Sequence, residues 1–184
     1  MIEDNGPGVV TLGAGDRALA VAAVKAVLRV ASADEDDLIV AFAETALGLA
    51  ERFLGQVTIR RTMRESFGVT GAWKRIGAAP VRAITQVETV AGVALAAMTY
   101  AIDIDPQGEG WVRVSDGASG TRVVVFDAGM ANDWSGVPGP IRQGVVLLAA
   151  HLFDAREHAT PPPLAVTALW RPFRRIALLA GEHP

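Results

Sequence analysis

One stretch of the sequence, residues 137–158, constrains the fold more than any other. Pro140 suits the first turn of a helix, where no N–H partner is required. Apolar residues then recur at helical spacing on one face: Ile141, Val145, Leu148 and Leu152. Three consecutive prolines from Pro161 to Pro163 end the pattern. The spacing predicts a helix over about 140–158.

Two further helices are predicted upstream, over about 16–30 and 34–54. Asp16 is a suitable N-cap for the first, and Gly55 is a natural stop for the second. The apolar faces of these two helices contain Leu19, Ala23, Val27, Leu38, Phe42, Ala46, Leu49 and Phe53. Residues 1–15 are rich in glycine and irregular, which predicts a flexible N-terminal arm.

The middle of the chain, residues 57–127, has the pattern of short strands. Apolar and polar residues alternate from Val57 to Phe67, and glycine-containing turns separate the later short apolar runs. The expected strands cover about 57–67, 73–77, 84–90, 100–103, 111–114 and 122–126. The predicted fold class is therefore α+β and mainly α: a small helical bundle, an inserted antiparallel β region over 57–127 and an extended C-terminal tail.

Composition excludes several classes of protein. The 184-residue chain has no cysteine, so disulfides and thiolate metal sites are excluded. Its formal net charge is −3 and no lysine or arginine run supports binding to nucleic-acid phosphates. No apolar stretch is long enough to cross a membrane. The acidic N-terminus lacks the pattern of a signal peptide, so we expect synthesis and assembly in the bacterial cytoplasm.

No pattern of catalytic residues emerges. His151, Asp154, Glu157 and His158 have spacings that can share a helix face, but a His-Glu-x-x-His motif is missing. The acidic run 34–37 lacks the alternation, glycine and closing glutamate of a calcium loop. No serine lies in a Gly-x-Ser-x-Gly context. We therefore predict no enzyme activity, no cofactor and no metal; a small metal-dependent enzyme using the 151–158 segment remains an alternative.

Several short segments in the second half of the chain occur in a recognisable order: Ala128-Gly129, Val137-Pro138 and His151-Leu-Phe-Asp-Ala-Arg-Glu157. Leu28-Arg29-Val30 and Tyr100-Ala-Ile-Asp103 add weaker matches. This succession resembles the head–tail connector (adaptor) family of long-tailed bacteriophages and phage-like gene transfer agents. Leu152 and Phe153 stand where that family often has Trp and Tyr.

The resemblance implies a structural subunit of the particle neck. Such proteins form a ring, commonly of twelve subunits, between the portal protein and the stopper or other tail-proximal neck protein. Double-stranded DNA passes through the ring without sequence-specific binding. Another neck component, a stopper or a tail terminator, is the alternative within the same kind of particle.

The resemblance also implies a domain division and a partner-binding tail. The arm would cover 1–15, the connector domain 16–160 and the tail 161–184. In related proteins this tail projects and engages the portal, so the expected portal-binding residues are Trp170, Arg171, Phe173, Arg174 and Arg175. Aromatic and arginine side chains are enriched at binding hot spots. The alternative is a tail folded back on its own core, since Trp and Phe favour burial anywhere.

Overall fold

The structure, a computed structural model, describes residues 6–115, 117, 119–156 and 161–175. The described chain divides into two compact units. The helical unit comprises 7–59 and 131–175, and the β unit comprises 60–130. The prediction of an α+β fold with a β region inserted between helices is confirmed.

The described residues of the helical unit form four α-helices: α1 (Ala14–Leu28), α2 (Asp36–Leu54), α3 (Gly139–Asp154) and α4 (Leu164–Trp170). Helix α2 packs against α1 and α3, and α3 also packs against α1 and α4. Fully buried side chains of three helices form the core: Val24, Ala43, Leu47, Leu54, Ile141, Val145 and Ala149. None of the described helices is long and apolar enough to span a bilayer.

The observed ends of α1 and α3 differ from the predicted ends. Helix α1 begins after Gly13 because the Asp16 carboxylate, the predicted cap, instead accepts a hydrogen bond from the Trp134 backbone N–H at 2.9 Å. It ends at Leu28 because Arg29 adopts a left-handed conformation with φ 58°. Helix α3 ends at Asp154, short of the predicted end, and residues 157–158 lie outside the described residues.

Residues 7–12, part of the segment predicted as a flexible arm, are bound to α2 by hydrogen bonds. The Gly8 N–H donates to the Glu51 carboxylate and the Leu12 N–H donates to Glu44, each at 2.9 Å. The Leu12 side chain is buried. This part of the predicted arm therefore belongs to the helical unit.

The described residues of the β unit form six strands in two sheets. They are β1 (Arg61–Gly68), β2 (Lys74–Arg75), β3 (Val81–Thr89), β4 (Tyr100–Ile104), β5 (Gly110–Val114) and β6 (Thr121–Ala128). Both sheets are antiparallel, with strand orders β1-β6-β3 and β2-β5-β4. In the first sheet Met63 lies opposite Phe126, and both side chains are buried.

The predicted start of the first strand and the described part of the predicted C-terminal tail both belong to the helical unit. Val57 and Thr58 are buried in the helical unit instead of opening β1, and the Thr58 carbonyl accepts a hydrogen bond from the Ala131 N–H at 3.0 Å. Within the described part of the predicted tail, 161–175, the chain forms α4 and a short 3-10 turn (Arg171–Phe173). It folds back because Val166 and Trp170 are buried.

Candidate partner-docking surface

Trp170 joins α4 to α3. Its side chain is only 3% exposed, and its indole N–H donates to the Ile141 carbonyl at 3.1 Å. The ring also lies against Phe53 of α2, with ring centroids 5.8 Å apart. Gly144 makes this approach possible, since a Cβ at that position would lie 2.2 Å from the indole nitrogen. Trp170, predicted to bind a partner, thus contacts the core of its own chain.

The turn after α4 is tied to the end of α2. Gln56 donates a side-chain hydrogen bond to the Phe173 carbonyl at 2.6 Å, and the Arg175 N–H donates to the Leu54 carbonyl at 2.8 Å. The last carbonyls of a helix lack partners within it, so the second bond also caps α2. The turn therefore has a fixed position on the helical unit.

The other four predicted residues come together on this turn. Arg171 and Arg174 are exposed, and Phe173 and Arg175 are half-buried. The Arg174 guanidinium lies 5.5 Å from the centre of the Phe53 ring, within the range of a cation–π interaction. We call Arg171, Phe173, Arg174 and Arg175 the C-terminal surface. Its exposed guanidinium groups suit carboxylates on a partner.

Sequence reasoning missed Glu51, a buried carboxylate that organises this unit. Its side chain is fully buried and accepts hydrogen bonds from the Gly8 N–H at 2.9 Å and from the N–H and hydroxyl of Thr58 at 2.8 Å each. A signal was present, since Glu51 interrupts the apolar series between Leu47 and Leu54. A charged residue on a core face is informative because burial requires hydrogen-bonding partners.

Two carboxyl groups of the β unit have shifted acidities. Burial raises the pKa of Glu65, and the hydrogen bond from the Gly77 N–H at 2.7 Å opposes the rise only in part. Hydrogen bonds from Arg60 and Thr62 lower the pKa of Asp127. Each shift has a structural cause within the unit, so neither points to catalysis.

The described ranges contain no group of three or more His, Cys, Asp or Glu side chains able to hold a metal ion. His151 and Asp154 are described and lie on the last turn of α3. Glu157 and His158, the other members of the candidate metal set, lie outside the described residues.

The fold was compared with known proteins. No protein-family model and no curated protein matches the sequence. One similar chain comes from the neck of an empty gene transfer agent (GTA) particle, computed with C6 symmetry. It is 27% identical to this protein with a TM-score of 0.73, and each chain covers 100% of the other. A chain from the neck of a native GTA particle, computed with C12 symmetry, is 25% identical with a TM-score of 0.71 and the same full coverage.

A third similar chain comes from the virion of a native gene transfer agent (GTA) particle. It is 23% identical, with a TM-score of 0.70 and 98% coverage of both chains, and at this identity it shows the shared fold alone. The protein is therefore similar, over its whole length, to chains from the neck of gene transfer agent particles.

Proposed function

We propose that the protein is a structural component of the neck of a phage-like particle and, within the neck, the adaptor subunit. It would form a ring, of twelve subunits by analogy with the C12 neck, between the portal and the stopper or other tail-proximal protein. The DNA would pass through this ring. The observation that carries the proposal is the full-length similarity, with a TM-score of 0.73, to a chain of a GTA neck.

The physical task of such a subunit is binding alone. A cyclic ring of identical chains needs two different surfaces on each chain that match each other, because head-to-tail contacts are heterologous. A further surface must bind the portal. No step of this task requires a catalytic centre. A binding role of this kind fits the similarity to chains of particle necks.

The C-terminal surface is the proposed portal-binding site. Arg171 and Arg174 are exposed side by side on a turn that hydrogen bonds hold against α2. Trp170 would not contact the portal; its buried side chain would hold this turn in place. A preformed surface loses less conformational entropy on binding than an extended tail would.

Deleting the gene tests the adaptor role. Under the proposal, cells that produce the particle should then yield heads and tails that fail to join, and adding the purified chain should restore joining. A stopper would instead leave a ring already attached to the portal, and a tail terminator would leave tails of uncontrolled length. Complete, joined particles in the deletion strain would refute a neck role.

Charge reversal tests the portal site. Arg171→Glu combined with Arg174→Glu should reduce binding to the purified portal ring by about tenfold or more, since exposed arginines are removed and repulsion is added. The control is Lys74→Glu with Arg113→Glu, which changes the net charge equally at exposed positions of the β unit. Both double variants should melt close to the unmodified chain. Equal portal binding by all three proteins would rule out the C-terminal surface.

A further inference from the structure

The connection between β3 and β4 carries an exposed apolar segment, residues 90–98, which we call the apolar loop. Its sequence, Val-Ala-Gly-Val-Ala-Leu-Ala-Ala-Met, contains no polar side chain. Val90 is 68% exposed, Val93 63% and Met98 90%. Contiguous apolar surface of this kind marks interaction sites, because removing apolar surface from water lowers the free energy.

Hydrogen bonds hold the apolar loop in one shape. The Thr89 N–H donates to the Val93 carbonyl at 2.9 Å, and the Leu95 N–H donates to the Val87 carbonyl at 2.8 Å. At the far end, the Thr99 N–H donates to the Ala96 carbonyl at 2.9 Å. A loop whose backbone is already ordered loses little conformational entropy when it docks.

The helical unit has a groove of matching chemistry between α1 and α2. The groove is a cavity of about 530 Å³ with an apolar lining of Ala14, Ala18, Val21, Ala22 and Val40. Two ion pairs lie at its border: Lys25 Nζ lies 2.7 Å from Asp36 Oδ1, and Arg17 Nη2 lies 3.5 Å from Glu44 Oε1. The exposed carboxylate of Asp37 also lines the groove. An uncharged occupant therefore leaves these pairs intact, whereas a charged one would compete with them.

We infer that the apolar loop of one copy docks into the α1–α2 groove of the next copy around the ring. The inference rests on the proposed ring, which needs two unlike, complementary surfaces on every chain. The loop and the groove form such a pair: the loop is exposed and apolar, and the groove is concave with a largely apolar lining. Another neck protein as the occupant of either surface is the competing outcome.

Cysteine cross-linking tests the contact directly, because the chain has no cysteine of its own. Particles are isolated from cells that produce them with the double variant Ala18→Cys, Val93→Cys, then oxidised and separated under denaturing conditions. Each subunit would link to both neighbours, so a ladder of covalent oligomers beyond the dimer is expected. Either single variant should stay monomeric.

The outcomes separate the inference from the function on which it rests. The inference is overturned if necks that contain the variant chain give no ladder, give dimers alone, or give links to a different protein. The neck role would remain in each of these cases. Absence of the chain from particle necks overturns both.

A charge in the apolar loop supplies a second test. Val93→Asp should reduce incorporation into particle necks by at least about tenfold, because docking would bury an unpaired carboxylate. The monomer should melt unchanged, since Val93 is exposed. The control, Thr70→Asp, adds the same charge at an exposed turn of the β unit and should be incorporated normally. Normal incorporation of Val93→Asp would contradict the inference.

Discussion

The docking of α4 predicts how Trp170→Ala should affect stability. The substitution removes a side chain that is 3% exposed, its contact with Phe53 and its hydrogen bond to the Ile141 carbonyl. Replacing a buried Trp or Phe by Ala costs about 3–5 kcal/mol, and a lost hydrogen bond accounts for about 1 kcal/mol of that. We therefore expect the free energy of unfolding to fall by about 4 kcal/mol in Trp170→Ala and by about 1 kcal/mol in Trp170→Phe.

Gly144 provides an internal check on that magnitude. In the unmodified chain Gly144→Ala should destabilise by about 1–3 kcal/mol, because its Cβ would lie 2.2 Å from the indole nitrogen of a buried ring. In the Trp170→Ala background the obstacle is gone, and Gly144→Ala should stabilise by about 1 kcal/mol through helix propensity. The sign of the effect should therefore reverse between the two backgrounds.

Urea titrations of the unmodified chain and the four variants (Trp170→Ala, Trp170→Phe, Gly144→Ala and the double variant Trp170→Ala, Gly144→Ala), followed by the helical signal in far-UV circular dichroism, measure these differences. An extended tail, as predicted from the sequence, would give a different result. Trp170→Ala would then change stability by less than about 1 kcal/mol, and Gly144→Ala would stabilise in both backgrounds. That pattern would refute the docking of α4.

Further substitutions test other parts of the fold. Glu51→Gln replaces an acceptor oxygen by an amide donor beside bound N–H groups, and urea titration should show a loss of about 1–3 kcal/mol. Burial raises the pKa of Glu65, so the charged carboxylate of Glu65 opposes folding at neutral pH. Glu65→Gln should therefore raise the melting temperature at neutral pH. This gain should vanish as the pH falls to about 4.3, where the carboxyl group is protonated in the folded protein. Asp127 has a lowered pKa, so Asp127→Asn should lower the melting temperature at neutral pH, and the loss should shrink in acid. Arg29 has φ 58°, so Arg29→Gly should stabilise by about 1 kcal/mol in urea, and Gly55→Ala, at φ 66°, should cost a similar amount.

Local signals in the sequence predicted most of the helices and strands. Gly55 does end α2, in the left-handed conformation that glycine tolerates, and Pro140 does lie in the first turn of α3. The predicted strands over 84–90 and 122–126 correspond to β3 and β6, which pair with each other. These features depend on residues close in sequence, and that is why a pattern reveals them.

The remaining features depend on contacts between residues far apart in sequence. The Gly8 N–H binds Glu51, 43 residues later, and nothing in the glycine-rich start of the chain indicates that partner. The choice between one sheet and two depends on strand pairing, since β2 has two residues and pairs with β5 across the intervening β3 and β4. For the candidate site, the cluster of aromatic and arginine residues was visible, but which of them faces the core depends on Gly144, 26 positions before Trp170.

The docked position of α4 also changes how portal binding should be understood under the proposed function. An extended tail would have to be ordered on binding, at roughly 1–2 kcal/mol for each residue fixed, and that cost would be subtracted from the affinity. Here the helical unit has already ordered the segment, through Trp170 and the bonds at Gln56 and Leu54. The portal would then need to supply only contacts to side chains such as Arg171 and Arg174. Binding should consequently depend on the fold of the helical unit, so that a change which loosens α4 weakens the portal contact without touching it.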